Sequence, residues 1–136
     1  MPYDVTFQSK VLLIVIEAIE QYLSSPYNGR VYALAGPGDV FPYMVYQSQD
    51  GGGLNDDFAD QNGWKGLVTF RSIDTTLSGA FNCLSEMSAL LPMVTSSGYD
   101  IHMKPVHPML MPIEKTTKGN VYTVALITDV SVYPKE

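Results

Sequence analysis

The chain has 136 residues, 46% of them apolar and 16% charged, with a formal net charge of −6. That length suits a single domain with a real core, since about two-thirds of the unfolded surface can be buried at this size, and the apolar content excludes a wholly disordered tail. The single cysteine, Cys83, excludes an intrachain disulfide framework and a multi-cysteine zinc site.

No apolar run of about 18 residues occurs, so no transmembrane helix and no membrane partner are expected. Asp4 precedes the first base, Lys10, and the apolar stretch that follows contains Glu17 and Glu20, which is not the layout of a signal peptide. The sequence reads as a soluble protein made in a reducing cytoplasm. Fourteen acids stand against eight bases, and only Lys115 and Lys118 lie close together. A grip on nucleic-acid phosphates needs clustered Lys and Arg, so none is expected.

The first strong signal runs from Val11 to Leu23. Val11 to Ile16 are all apolar, Ala18, Ile19, Tyr22 and Leu23 follow at helical spacing, and Glu17, Glu20 and Gln21 form a polar stripe. The length predicts a helix over 11–23, with Ser9 as its cap and Ser24-Ser25-Pro26 and Asn28-Gly29 as its stop. Its wide apolar surface implies burial on more than one side.

Arg30 to Leu34 predicts a short strand before the breaker Gly36-Pro37-Gly38-Asp39. Tyr43 to Gln47 predicts a second strand, aromatic and β-branched, entered through Pro42. Residues 49–63 hold three consecutive glycines and four aspartates with no base, which predicts a long flexible acidic loop between the second and third strands. A loop that long in a compact domain is either functional or disordered in isolation.

Trp64 to Ile73 predicts a strand with Trp64, Val68 and Phe70 on one face and Lys65, Thr69 and Arg71 on the other. Leu77, Ala80, Phe81, Leu84, Met87, Ser88 and Leu91 then recur at three- and four-residue steps. They predict a second helix, capped by Asp74 or Thr75 and closed by Pro92. Tyr99 to Met103 predicts a strand. Pro105, Pro108 and Pro112 make the segment 104–113 an edge strand or an extended Pro-rich arm. After the turn at Thr117-Lys118-Gly119-Asn120, Val121 to Val132 predicts a long closing strand with Tyr122, Val124, Leu126, Val130 and Val132 on one parity. The order α-β-β-β-α-β-β, with no internal repeat, predicts a single α+β domain over 1–136: a mostly antiparallel sheet packed against two helices.

The search for reactive chemistry returns little. Gly36-Pro37-Gly38-Asp39 lacks the Gly-Lys-Ser/Thr that completes a phosphate cradle, and Pro37 removes an amide donor. His102 and His107 have opposite parity, so an uninterrupted strand would put them on opposite faces, and no third metal ligand is evident. Asp50, Asp56, Asp57 and Asp60 do not follow the calcium-loop pattern. Cys83 sits beside an apolar stripe, as a small hydrophobe does. No nucleophile elbow and no acid–base pair stand out. No enzyme, no cofactor and no metal are expected.

The element order and its sequence details resemble a known family. Gly29-Arg30-Val31-Tyr32, a Gly/Pro linker and Phe41-Pro42-Tyr43-Met44-Val45-Tyr46-Gln47 are similar to the corresponding parts of the tail terminator (tail completion) proteins of long-tailed bacteriophages. The strand Gly66 to Arg71, the helix Thr75 to Leu91 and the strand from Val121 extend the resemblance over roughly residues 9–132. It implies a small α+β virion protein, made in the host cytoplasm, whose copies form a hexameric ring at the head-proximal end of the tail. Such a ring stops tail polymerisation and joins the head. The implied partners are other copies of the chain, the tail tube protein and the head connector or head-completion protein, with DNA passing through the lumen without specific binding. On that reading Asp50, Leu54, Asp56, Asp57, Phe58 and Asp60 are candidates for a lumen-facing or tube-contacting loop, its charges repelling DNA and its two apolar residues anchoring it. Met109, Leu110 and Met111 are candidates for an intersubunit arm. The alternatives are another head–tail connector or minor tail protein, and a small-ligand or peptide-binding module with a preformed apolar pocket.

Overall fold

The computed structural model describes residues 5–33, 40–48, 64–117 and 119–134. Helix α1 spans Val5–Tyr22. It begins earlier than expected, with Ser9 inside the helix rather than at its cap. Val15, Ala18 and Ile19, with Leu23 just beyond the last turn, form its buried face. The chain leaves α1 through a single 3-10 turn, Ser25–Tyr27, where Pro26 fixes the start. Asn28 (φ 53°) and Gly29 (φ 82°) then take left-handed conformations that suit Asn and Gly best.

Strand β1 (Val31–Ala33) is followed by β2 (Tyr43–Ser48) and β3 (Trp64–Asp74). Helix α2 (Leu77–Leu90) comes next, then β4 (Tyr99–Leu110), β5 (Glu114–Thr116) and β6 (Gly119–Pro134). The fold is α+β, with two helices and a mostly antiparallel sheet of six strands. The sheet runs β1-β2-β3-β6-β4, and β5 pairs with the start of β6. β1 runs parallel to β2, with Val31 opposite Met44 and Ala33 opposite Tyr46. One detail differs from expectation. β5 is an added strand, and its three exposed polar residues carry no alternating pattern to announce it.

The two long central strands set the faces. β3 pairs with β6 along its whole length, from Trp64 opposite Val132 to Asp74 opposite Tyr122. Val68, Phe70 and Ser72 point to the helices, as do Val124, Leu126, Thr128, Val130 and Val132 on β6, and all are buried. The apolar ones join Met44 and Tyr46 of β2 and the inner faces of α1 and α2 in one continuous core. Each fully buried side chain of this size contributes about 1.5–3 kcal/mol. The opposite face carries a smaller cluster at one end, Tyr43, Val45, Ile73 and Val121 with Tyr32 and Phe41. One packed face and one largely open face is the usual arrangement for an antiparallel sheet.

Helix α2 is pinned at its start. Thr76, one residue past the expected caps, is the N-cap, and its Oγ1 accepts from Gly79 N at 3.0 Å. Asp74 serves the preceding turn instead, accepting from Thr75 N at 2.7 Å. A side chain at Gly79 would meet the Asp74 carboxylate and the Thr76 hydroxyl, so one could enter only if those side chains moved and the cap bond loosened. Deeper in, Ser72 Oγ donates to Ala80 O at 2.8 Å and ties the helix to β3.

Candidate assembly interface

At the β1–β2 edge the two sequence segments that carry the family resemblance meet. Arg30 Nε donates to Pro42 O at 2.8 Å, and its Nη2 donates to Phe41 O at 3.2 Å. Met44 N donates to Arg30 O at 2.9 Å. Tyr32 lies edge-on to Tyr43, ring centres 6.1 Å apart, and Phe41 packs on Tyr43 at 5.5 Å. The Gly-Arg-Val-Tyr segment is therefore a clamp on the Phe-Pro-Tyr strand, which enters through a cis Phe41–Pro42 bond. These contacts fasten β1 to the start of β2.

β1 pairs with Met44 to Tyr46, and β2 runs on through Gln47 and Ser48. An apolar recess of about 200 Å³ opens there, beneath α1, lined by Val15, Ile16, Ile19, Ala33, Ser48 and Val68 among others. Tyr46 also lines it and donates its hydroxyl to Glu20 Oε2 at 2.8 Å, which sets a carboxylate beside the recess. Burial, reinforced by that carboxylate, pushes the Tyr46 phenol well above its ordinary range, so it stays a donor. No single segment of sequence advertises this recess, because its walls come from four separate elements.

The opposite edge is built differently. The Pro-rich segment 104–110 belongs to β4 and is held by β6 rather than extending freely. Met111 donates to Thr123 O at 3.0 Å, so odd-numbered positions of β6 bond across to this strand. Pro105 and Pro108 stand opposite Thr128 and Leu126, on the other parity. Their missing N–H groups therefore point away from β6, where an edge strand tolerates them. The end of the strand and the turn after it are apolar and uncovered: Val106, Met109, Leu110 and Ile113 are 50%, 42%, 56% and 51% exposed. Met111 is half-buried. A groove of about 340 Å³ runs between this strand and α2, lined by Phe81, Leu84, Ser85, Pro105, Val106 and Pro108 among others.

The remaining candidates fall outside these edges. Asp50, Leu54, Asp56, Asp57, Phe58 and Asp60, with the whole segment 49–63, lie outside the described residues, as does Gly36-Pro37-Gly38-Asp39. His102 and His107 lie opposite Ser131 and Ile127, which share a parity, because the register shifts between Pro105 and His107. The two histidines thus share the open face, contrary to the uninterrupted-strand expectation. Four strand positions still separate them, roughly 13 Å, too far for one metal ion. Among the described residues no group of three or more His, Cys, Asp or Glu side chains is placed to hold a metal. Cys83 is half-buried, with its thiol 3.6 Å from Pro26 O, and burial raises its pKa, which disfavours the reactive thiolate. A wider cleft of about 650 Å³ separates α1 from residues 95–99 and is lined by Glu17, Gln21, Tyr22, Ser96 and Tyr99 among others. No described helix is long and apolar enough to cross a membrane.

No protein-family model and no curated protein matches the chain. Among solved structures, the fold is similar to that of a chain in "Virion of native gene transfer agent (GTA) particle", with a TM-score of 0.52 and 14% sequence identity. The match covers 89% of this chain and 92% of that one. At this identity the likeness concerns the fold.

Proposed function

We propose that this chain is a structural virion protein of a phage-like particle, and specifically its tail terminator. Six copies close a ring on the last ring of the tail tube, end its polymerisation and present the opposite face to the head connector. The observation that carries this reading is the fold likeness to a chain of a gene transfer agent virion, which spans nearly the full length of both chains. The Arg30 clamp adds to it, because the two segments that carry the family resemblance are bonded to each other.

The physical logic of such a role asks for no catalytic group. A ring of identical subunits is built from heterologous contacts, so its two faces differ chemically. One face can match the docking surface of the tube while the other does not, and growth stops there. A chain of net charge −6, repeated six times, gives the assembly a strongly acidic character that keeps passing DNA from adhering. The role is non-enzymatic and the location is the head-proximal end of the tail.

Deletion of the gene from a particle-producing genome tests the reading. Tail tubes of uncontrolled length without attached heads are the expected result. Tails of normal length on intact heads would contradict it, and normal-length tails that merely fail to join heads would favour a different head–tail connector.

A further inference from the structure

We propose that the first half of β4, Tyr99 to Lys104, is a docking edge that takes an extended segment of a different protein of the particle as an added strand. This inference rests on the virion reading above and names how the chain holds a partner.

Asp100, His102 and Lys104 stand opposite Tyr133, Ser131 and Asp129. These are odd positions of β6, which runs beside β3 without a register shift, so they bond across to β4 as Thr123 does to Met111. The N–H and C=O groups of the alternate residues, Ile101 and Met103, therefore point outward in the plane of the sheet. Among the described residues no further backbone group bonds to them. Their side chains are buried on the helix side, which holds this backbone extended before any partner arrives.

The rest of the edge is closed. Pro105 and Pro108 occupy the same outward parity in the second half of β4 and supply no N–H there. β1 and β5 are three residues long, too short to template a partner. Among the described residues, Tyr99 to Lys104 is thus the one long stretch of edge with its donors intact, about 20 Å of it. The chain blocks one half of β4 and leaves the other half able to pair.

Outward N–H and C=O groups that recur every second residue are matched by another extended backbone. This chain has no spare strand to offer between its elements. Residues 34–39 and 49–63 are rich in Gly, Pro, Asp and Asn, which strands disfavour, and its described strands are already paired in the sheet. The added strand therefore comes from another protein. Asp100, His102 and Lys104 are exposed on the open face and set its chemistry there: a base beside Asp100 and a carboxylate beside Lys104. Tyr99 also lines the cleft of about 650 Å³ next to α1, where a helix-side residue of the incoming strand finds room.

Single-residue hydrogen exchange, on the isolated chain and on the chain in purified particles, tests this. In the dilute isolated chain the amides of Ile101 and Met103 are expected to exchange fast and those of His102 and Lys104 slowly. In particles Ile101 and Met103 are expected to slow tenfold or more. Met103→Pro is compared with Met103→Ala, which loses the same side chain but keeps the N–H. The proline variant is expected to enter particles at least tenfold less than the alanine one. Slow exchange at His102 and Lys104 certifies that a variant is folded; should Met103→Pro fail that check, the exchange comparison decides alone. Ile101 and Met103 already protected in the dilute chain, no added protection in particles, or equal entry of two folded variants would overturn the proposal. Protection that grows with the concentration of the isolated chain would assign the edge to a second copy and overturn it too. Particles that lack the chain would instead overturn the virion reading itself.

Discussion

The two ends of the sheet follow opposite designs. At the β1–β2 end a three-residue strand is fixed by an arginine clamp, an aromatic cluster and the overlying α1. At the β4 end a strand of twelve residues is held by β6 on one side and lacks two outward N–H groups on the other. The first end uses its residues to stay folded and leaves a hole. The second leaves Val106, Met109, Leu110 and Ile113 exposed. Met109, Leu110 and Ile113 are exposed apolar side chains at one edge, a patch of the kind that marks interaction surfaces.

Substitutions sharpen this contrast. Phe70→Ala, in the shared core between the two ends, is expected to cost about 3–5 kcal/mol in urea denaturation, because the cavity cannot collapse between two helices and a sheet. Arg30→Ala is expected to cost about 2 kcal/mol by losing two charge-assisted bonds, and hydrogen exchange should accelerate first at Val31 to Ala33. Equal loosening at both ends would show that the clamp is not local. Thr76→Ala, away from either end, should cost about 1 kcal/mol through loss of the α2 cap.

The smallest effect is expected at Tyr27, whose buried hydroxyl lies beside Ser72. Burial raises its pKa, so the folded state holds the proton more tightly than the unfolded chain. Its contribution is therefore complete below the ordinary tyrosine value of 10.0 and is lost as pH climbs above it. Tyr27→Phe should change stability at neutral pH by less than about 1 kcal/mol and reduce the alkaline loss. An unchanged alkaline limb would assign that loss to Tyr43 and Tyr46, which are shifted the same way.

The sequence disclosed what periodicity can carry. α2 was evident from Ala80, Leu84 and Met87, and the inward face of β6 from its alternating parity. What it could not carry was pairing. Nothing in Val31-Tyr32-Ala33 distinguishes a parallel partner from an antiparallel one, and the extra residue at Val106 that brings His107 to the face of His102 is invisible until the register is known. The start of α1 was misplaced because Ser9 has the chemistry of a cap, although a serine inside a helix costs only a few tenths of a kcal/mol against alanine. The apolar residues of the proposed arm could be found from the prolines around them. The recess could not, since Val15, Ala33, Ser48 and Val68 become neighbours only after folding.

Electron cryomicroscopy of the neck of particles containing this chain tests the central claim most directly. Six copies in one closed ring between the tail tube and the head connector is the predicted density. A neck in which this polypeptide forms no closed ring would contradict it.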